Sequence, residues 1–253
     1  MYAWISRLLL FVAISSQNAW SLSNFSPGDL SDLQQTNVDE LIKLVALGAN
    51  HRQLLPARPL GLGVGLEIGV DVTGVVVPDE FKAALALAAD SSAGQVPSLL
   101  PLPKISFYKG LPAGIDLGFS FISYQSSISF YGASVQWAFL SKSAVLPNAA
   151  VRFNAAYAKV WFIQTRNFAL DAVVSKRFSV IEPYLGTGLQ MWNGSLSVSS
   201  SSLPASLSAS NSGVSPHVFF GFPIKLVFIR IVGEIDYNFS GVTSYGGKVA
   251  LSF

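Results

Sequence analysis

The sequence predicts an all-β fold: a closed antiparallel barrel of about ten strands that crosses a membrane, preceded by a short helical segment. Three observations predict it. The first is alternation at the end of the chain. Tyr245, Val249, Leu251 and Phe253 share one face, with Gly247 in the gap, while Gly246, Lys248, Ala250 and Ser252 share the other. Period 2 is what a strand needs when one face meets an apolar phase and the other a polar one. The second is composition. Hydrophobic residues are 51% and charged residues 12% of the 253, against roughly 25% charged in an average soluble domain. No run approaches the roughly 18 apolar residues of a membrane helix, so the apolar residues are spread singly, as along strands. The third is the spacing of breaks. Long connections near 75–102 and 193–213 fall at one end of the strands, and short turns near 110–112, 141–147, 178–180 and 223–226 fall at the other.

Charge and residue usage exclude several classes. Formal net charge is +2 and no basic cluster occurs, so there is no nucleic-acid footprint. The absence of cysteine removes disulfides and thiolate metal sites. The two histidines, His51 and His217, have no metal-ligand spacing, so neither a metal nor a cofactor is expected.

In chain order, residues 1–21 read as a signal peptide. Arg7 supplies the positive region, Leu8–Ile14 the short apolar run, and Ala19-Trp20-Ser21 the small-x-small cleavage site. Residues 22–59 form a separate segment. Ser31 is a candidate helix start, Leu33, Val38, Leu41, Ile42, Val45 and Leu47 recur at helical spacing, and Gly48 is a candidate cap. The preferred reading is an amphipathic helix packed on or beneath the barrel, on its periplasmic side. The alternative is a plug inside the lumen. Residues 60–253 form the barrel. Leu60–Val75 alternates throughout, with Leu66, Ile68 and Val70 outward and Glu67, Gly69 and Asp71 inward. Residues 78–90, with Pro78 first and acids in the first turn, predict a loop helix.

Pro103–Lys109 predicts a short strand whose start is weakened by Pro101 and Pro103. Without it and one other strand the barrel has eight. Ala113–Ser123, Ile128–Leu140, Ala149–Ile163, Arg166–Phe178, Val180–Trp192, Val214–Ile224 and Leu226–Asn238 follow by the same alternation, with Asn193–Gly213 read as a Ser-rich loop.

The closing strand resembles that of bacterial outer-membrane β-barrel proteins, in the class of small porin-like barrels. There the terminal residue is typically Phe, preceded by alternating apolar or aromatic residues. Glu182–Leu189 also looks like a segment common in small barrels of this kind. The resemblance implies the outer membrane of a Gram-negative cell, with outer-membrane lipid as surroundings. It also implies that the barrel-assembly machinery reads Tyr245, Val249, Leu251 and Phe253. A monomer is favoured.

By this register the inward charges are Glu67, Asp71, Asp116, Arg152, Asp171, Glu182, Arg230, Glu234, Asp236 and Lys248. One reading is an ion-pair network that fills a narrow barrel, since wide channels need about sixteen strands. The other is a narrow conduit favouring cations, because the carboxylates outnumber the bases. Trp137, Trp161, Phe162 and Trp192, with Tyr124, Tyr131, Tyr157 and Tyr245, are expected in interfacial girdles rather than in a stacking site. A serine hydrolase would need a histidine base within reach of its nucleophile. His217 has no serine nearby on its face apart from the preceding Ser215-Pro216, so no enzyme is expected. The preferred function is a small pore or transport barrel that passes a small solute. The rival is a closed structural or surface-interaction barrel.

Overall fold

The computed structural model describes residues 35–61, 63–77, 98–124, 128–141, 146–160, 162–198 and 207–253. The signal peptide, the Ser31 helix start, the 78–90 helix, Trp161 and the Tyr124 side chain lie outside the described residues.

Ten antiparallel strands close on themselves: β1 (Leu66–Val76), β2 (Leu99–Leu111), β3 (Ile115–Tyr124), β4 (Ile128–Leu140), β5 (Asn148–Val160), β6 (Ile163–Ser175), β7 (Tyr184–Val198), β8 (Leu207–Leu226), β9 (Ile229–Asn238) and β10 (Val242–Ser252). Each strand pairs with its neighbours in sequence, and β1 pairs with β10. The seam is completed by Phe253, whose N–H donates to the Leu66 carbonyl at 2.8 Å. Closure leaves no open sheet edge, the condition for a sheet to stand in lipid.

The alternation turns the barrel inside out relative to a soluble globule. Phe153, Leu170, Leu189 and Ile231 are exposed on the outer surface, while Ser106, Gln136, Asn154, Asn167 and Gln190 are buried inside. Such a surface is stable only against an apolar phase.

Four local readings are corrected. Leu60–Gly65 is not strand. Gly61 and Gly65 have φ of 94° and 49°, a region open mainly to glycine, and there the chain bends back beneath β1. A Cβ on Gly65 would stand 2.2 Å from the Gly61 carbonyl oxygen. β2 is a full strand despite its prolines. β3 pairs with it only from Ile105 onward, so Pro101 and Pro103 sit where β1 is the sole partner and a missing N–H costs no ladder bond. The Ser-rich loop is shorter than read, because β7 and β8 stay paired from Asn193↔Ser212 out to Val198↔Leu207. In this extension the faces invert. Ser195, Ser197, Ser208 and Ser210 point outward and Leu196 and Ala209 inward, so a search for outward apolar residues passes over it. Finally, Trp192 is buried in the lumen and belongs to no girdle. Trp137, Tyr131 and Tyr245 are exposed on the outer surface.

Helix α1 (Gln35–Gly48) and the extended residues after it run through the lumen. This differs from the preferred reading of a helix outside the barrel. Val38, Ile42 and Val45 pack on Val160, Ile163, Leu196 and Ala209. Leu44, Ala46 and Leu47 pack on Val75, Val77, Trp192 and Val242. These partners lie at the end of the barrel that carries the β1–β2 and β7–β8 connections, the loop end. The β3–β4, β5–β6 and β9–β10 connections there are only two or three residues long, and the β6–β7 connection at the opposite, turn end spans residues 176–183. Gly48 ends the helix, but its role is close approach rather than a left-handed cap. A Cβ there would come 2.3 Å from a Val75 methyl.

A charge at the middle of the outer face should cost far more than one on the extension. Leu170→Arg is expected to destabilise the barrel by about 2–4 kcal/mol and Ser195→Arg by about 0–1 kcal/mol. Urea denaturation in phospholipid vesicles checks this, and equal costs would displace the apolar band from where the strands put it.

Candidate functional site

The site is the lumen and the segment inside it. An extended chain buried in a barrel must find partners for its own polar groups, which neither helix nor sheet supplies. The wall provides them in descending order. Near the loop end, Asn211 donates to the Asp39 carbonyl at 2.8 Å. Asn167 donates to the Ala46 and Ala49 carbonyls at 2.8 and 3.3 Å, and Gln190 to that of Leu47 at 3.3 Å. Midway down, Lys248 donates to the Gln53 carbonyl at 2.9 Å, and the Tyr108 hydroxyl to that of Arg52 at 3.4 Å. Toward the turn end, Arg152 donates to the Leu55 carbonyl and Gln136 to that of Pro56 at 3.2 Å. The Asp116 carboxylate accepts the Leu60 N–H at 3.0 and 3.2 Å. The segment therefore enters at the loop end with α1 and leaves at the turn end, where it turns into β1.

The inward charges form three groups. In the first, Glu67 is held between Arg230 and Lys248, each at 2.8 Å. Asp71 sits opposite Lys104 on β2 and Lys248 on β10 and accepts the Ser106 hydroxyl at 2.8 Å. In the second, His217 bridges Asp171 at 2.9 Å and Asp236 at 2.8 Å. With both carboxylates ionised, both contacts are hydrogen bonds when the ring carries a proton on each nitrogen. Arg52 of the plug reaches Asp236 at 3.4 Å and Glu234 at 4.0 Å, and Tyr184 donates to Glu234 at 2.5 Å. In the third, Arg152 donates to Gln136 at 2.6 Å, and Gln136 to Asp116 at 3.2 Å. Glu182 stands apart. It is half-buried at the turn-end mouth and accepts from Asn148 and Ser175 at 3.2 and 3.0 Å.

Sequence reasoning placed these charges on the inner faces of strands. Glu182 lies instead in the β6–β7 connection, because β7 begins only at Tyr184, and the partners of the others were missed. His51, Arg52 and Gln53 lie on no periodic element. His51 is fully buried, its Nδ1 2.7 Å from the Ser120 hydroxyl and its Nε2 3.0 Å from that of Ser134. A neutral ring at this place donates to one serine hydroxyl and accepts from the other. Lys104 also faces inward, 5.0 Å over the Phe130 ring. Arg52 and Lys104 halve the carboxylate excess that suggested a cation-favouring conduit. A signal for the plug was available: a run of polar residues, His51-Arg52-Gln53, between a helix pattern and the first strand.

The filling is close. Beside Asn50–Gln53 the remaining void is about 10 Å³, room for about one water. A wider vestibule of about 140 Å³ opens at the turn end.

No protein-family model matches this chain, and neither does any curated protein. Solved structures similar to it include Neisserial surface protein A, at 12% identity and TM-score 0.32, covering 74% of this chain and 97% of that one. The N-terminal β-barrel domain of Pseudomonas aeruginosa OprF matches at 13% identity and TM-score 0.33, with coverages of 74% and 97%. Ail, the attachment invasion locus protein of Yersinia pestis, matches at 13% and 0.30, with coverages of 73% and 93%. These likenesses are distant, and the barrel assignment rests on the closed strand order.

Removing wall donors should loosen the plug in proportion to the charge left behind. Lys248→Met is expected to cost about 3–5 kcal/mol, since it breaks a buried ion pair with Glu67. Asn167→Leu should cost about 1–3 kcal/mol through two unsatisfied carbonyls. Urea midpoints of the two variants give the order, and a reversed order would show that the Glu67 group is not held by Lys248.

Proposed function

We propose that this chain is an integral protein of a Gram-negative outer membrane, closed to bulk solutes in its resting state, that works through its rims as a surface-interaction barrel. The observation that carries this reading is the occupied lumen, where residues 38–57 are largely buried and the void beside them holds about one water. The apolar outer face and the closing strand ending in Phe253 support the membrane assignment. The barrel-assembly machinery would read Tyr245, Val249, Leu251 and Phe253, all exposed on the outer face. In this orientation the turns are periplasmic and the loop end faces outward, so the chain enters the lumen from the cell exterior. We assign it no catalysis, and the favoured state is a monomer in outer-membrane lipid.

A second reading is permeation, the function the sequence predicts. Its support is that the lower plug is held by hydrogen bonds and ion pairs to a polar wall, contacts that water can replace. A small solute would then pass after the segment withdraws.

Planar-bilayer recording separates the two. The refolded full chain is expected to be silent, and a chain lacking residues 22–59, shown folded by its heat-dependent gel mobility, should give discrete steps. Steps from the full chain at rest would overturn the closed reading.

The threading has its own test. An epitope tag inserted after Ser23 should be labelled by antibody on intact cells. Labelling only after the outer membrane is permeabilised would reverse the direction of entry.

A further inference from the structure

The vestibule of about 140 Å³ at the turn end lies against the point where the plug leaves the lumen. Its wall carries Arg58 from the plug, Arg177 from the β6–β7 connection, Lys225 from β8 and Arg230 from β9. Glu182 is the only carboxylate among the described lining residues, and Asn148 and Ser175 already donate to it. Arg230 is paired with Glu67 at 2.8 Å, but Glu67 is shared with Lys248. Lys225 donates to the Ser252 hydroxyl at 3.2 Å, a neutral partner. Arg58 and Arg177 are exposed and Arg230 is buried, so water screens part of the repulsion among these like charges and an anion between them would relieve the rest.

The connection that carries Arg177 is fixed in place. Phe178 and Ile181 exchange backbone hydrogen bonds at 2.7 and 3.0 Å. The Lys225 N–H donates to the Val180 carbonyl at 2.8 Å, and the Glu182 N–H to that of Pro223 at 3.1 Å. Ser179 takes a left-handed φ of 56°, and the Arg177 Nε donates to its carbonyl at 3.0 Å. That contact uses the Nε and leaves the two terminal nitrogens, which fit the oxygens of a tetrahedral oxyanion.

We infer that this vestibule binds a phosphate-bearing anion. Phosphate fits better than a single carboxylate because it brings up to about two negative charges and three acceptor oxygens to several cations at once. The room, on the order of ten water-sized spheres, admits the headgroup. A bound anion would tie Arg58 of the plug to Arg177, Lys225 and Arg230 of the wall, and so latch the segment where it leaves the barrel. The site stands whether or not the barrel conducts. The phosphate has two sources, a free phosphate or phosphate ester in the aqueous compartment, or the headgroup of an anionic lipid.

The test uses the full chain in zwitterionic detergent and follows the thermal midpoint of unfolding. Inorganic phosphate is expected to raise the midpoint by several degrees over chloride at matched ionic strength. The double variant Arg177→Gln/Lys225→Gln, which changes residues at the mouth and leaves the plug ladder intact, should lose that rise. A parallel arm compares vesicles of phosphatidylcholine with vesicles containing phosphatidylglycerol. A rise with phosphate assigns the free anion. A rise only with phosphatidylglycerol, lost in the double variant, assigns the lipid headgroup. No rise in either arm, or the same rise in the double variant, overturns the site.

Discussion

Everything in the lumen depends on satisfying the backbone of the segment that occupies it. Residues 49–60 are neither helix nor strand, so their carbonyls must be met by side chains or left bare at a cost of about 1–3 kcal/mol each. Asn167, Lys248, Tyr108, Arg152 and Gln136 meet them from five different strands. This explains why the inner wall is polar where a narrow barrel could have been filled by its own apolar side chains. It also sets the register tightly. Sliding a strand by one residue would turn its donor into lipid and its apolar neighbour onto the segment.

The same constraint divides the lumen into two storeys. An α-helix satisfies its own backbone, so it can lie against an apolar wall. α1 does so among Val160, Ile163, Leu196 and Trp192. An extended chain needs polar partners as well, and below Gly48 the wall is mixed. Ser120, Ser134, Gln136 and Lys248 bond to the segment, while Ala150, Val173, Phe219 and Val232 pack on Leu54 and Ala57. The apolar upper storey is matched by an inversion outside, where β7 and β8 carry serines instead of apolar residues. That stretch behaves as a wall standing in water, with its core inside.

The inner faces of the strands were legible because a barrel wall obeys period 2 regardless of what fills it. Glu67, Asp171, Arg230 and Glu234 could be placed from alternation alone, and so could the strand number. Four features were not legible, each for its own reason. Leu60–Gly65 alternates as a strand does, but left-handed glycines override the pattern. The β7–β8 extension reverses polarity, so a rule tuned to lipid discards it. Pro101 and Pro103 are harmless only because β3 is too short to reach them, a fact of another strand. Residues 49–60 have no period because their partners lie far along the chain, up to 195 residues away in the contact from Lys248 to Gln53.

The charge balance shows how closely the wall and the plug belong together. Counted on the strands by the predicted register, the interior looked acidic, which suggested a path for cations. The structure turns Lys104 inward on β2, a strand whose faces the sequence left unassigned, and brings in Arg52 from a segment expected outside the barrel, and both reduce that excess. Arg52 reaches Asp236 and Glu234, and Asp236 is also tied to Asp171 through His217. Withdrawing the segment would therefore remove a cation and uncover two carboxylates together, in a place where water must then enter to solvate them. An empty lumen would be wet and negative, whereas the occupied one is nearly dry and paired. The acidic strands and the basic residue of the plug are two halves of one electrostatic unit, and the selectivity read from the strands alone belongs to a state in which the two are parted.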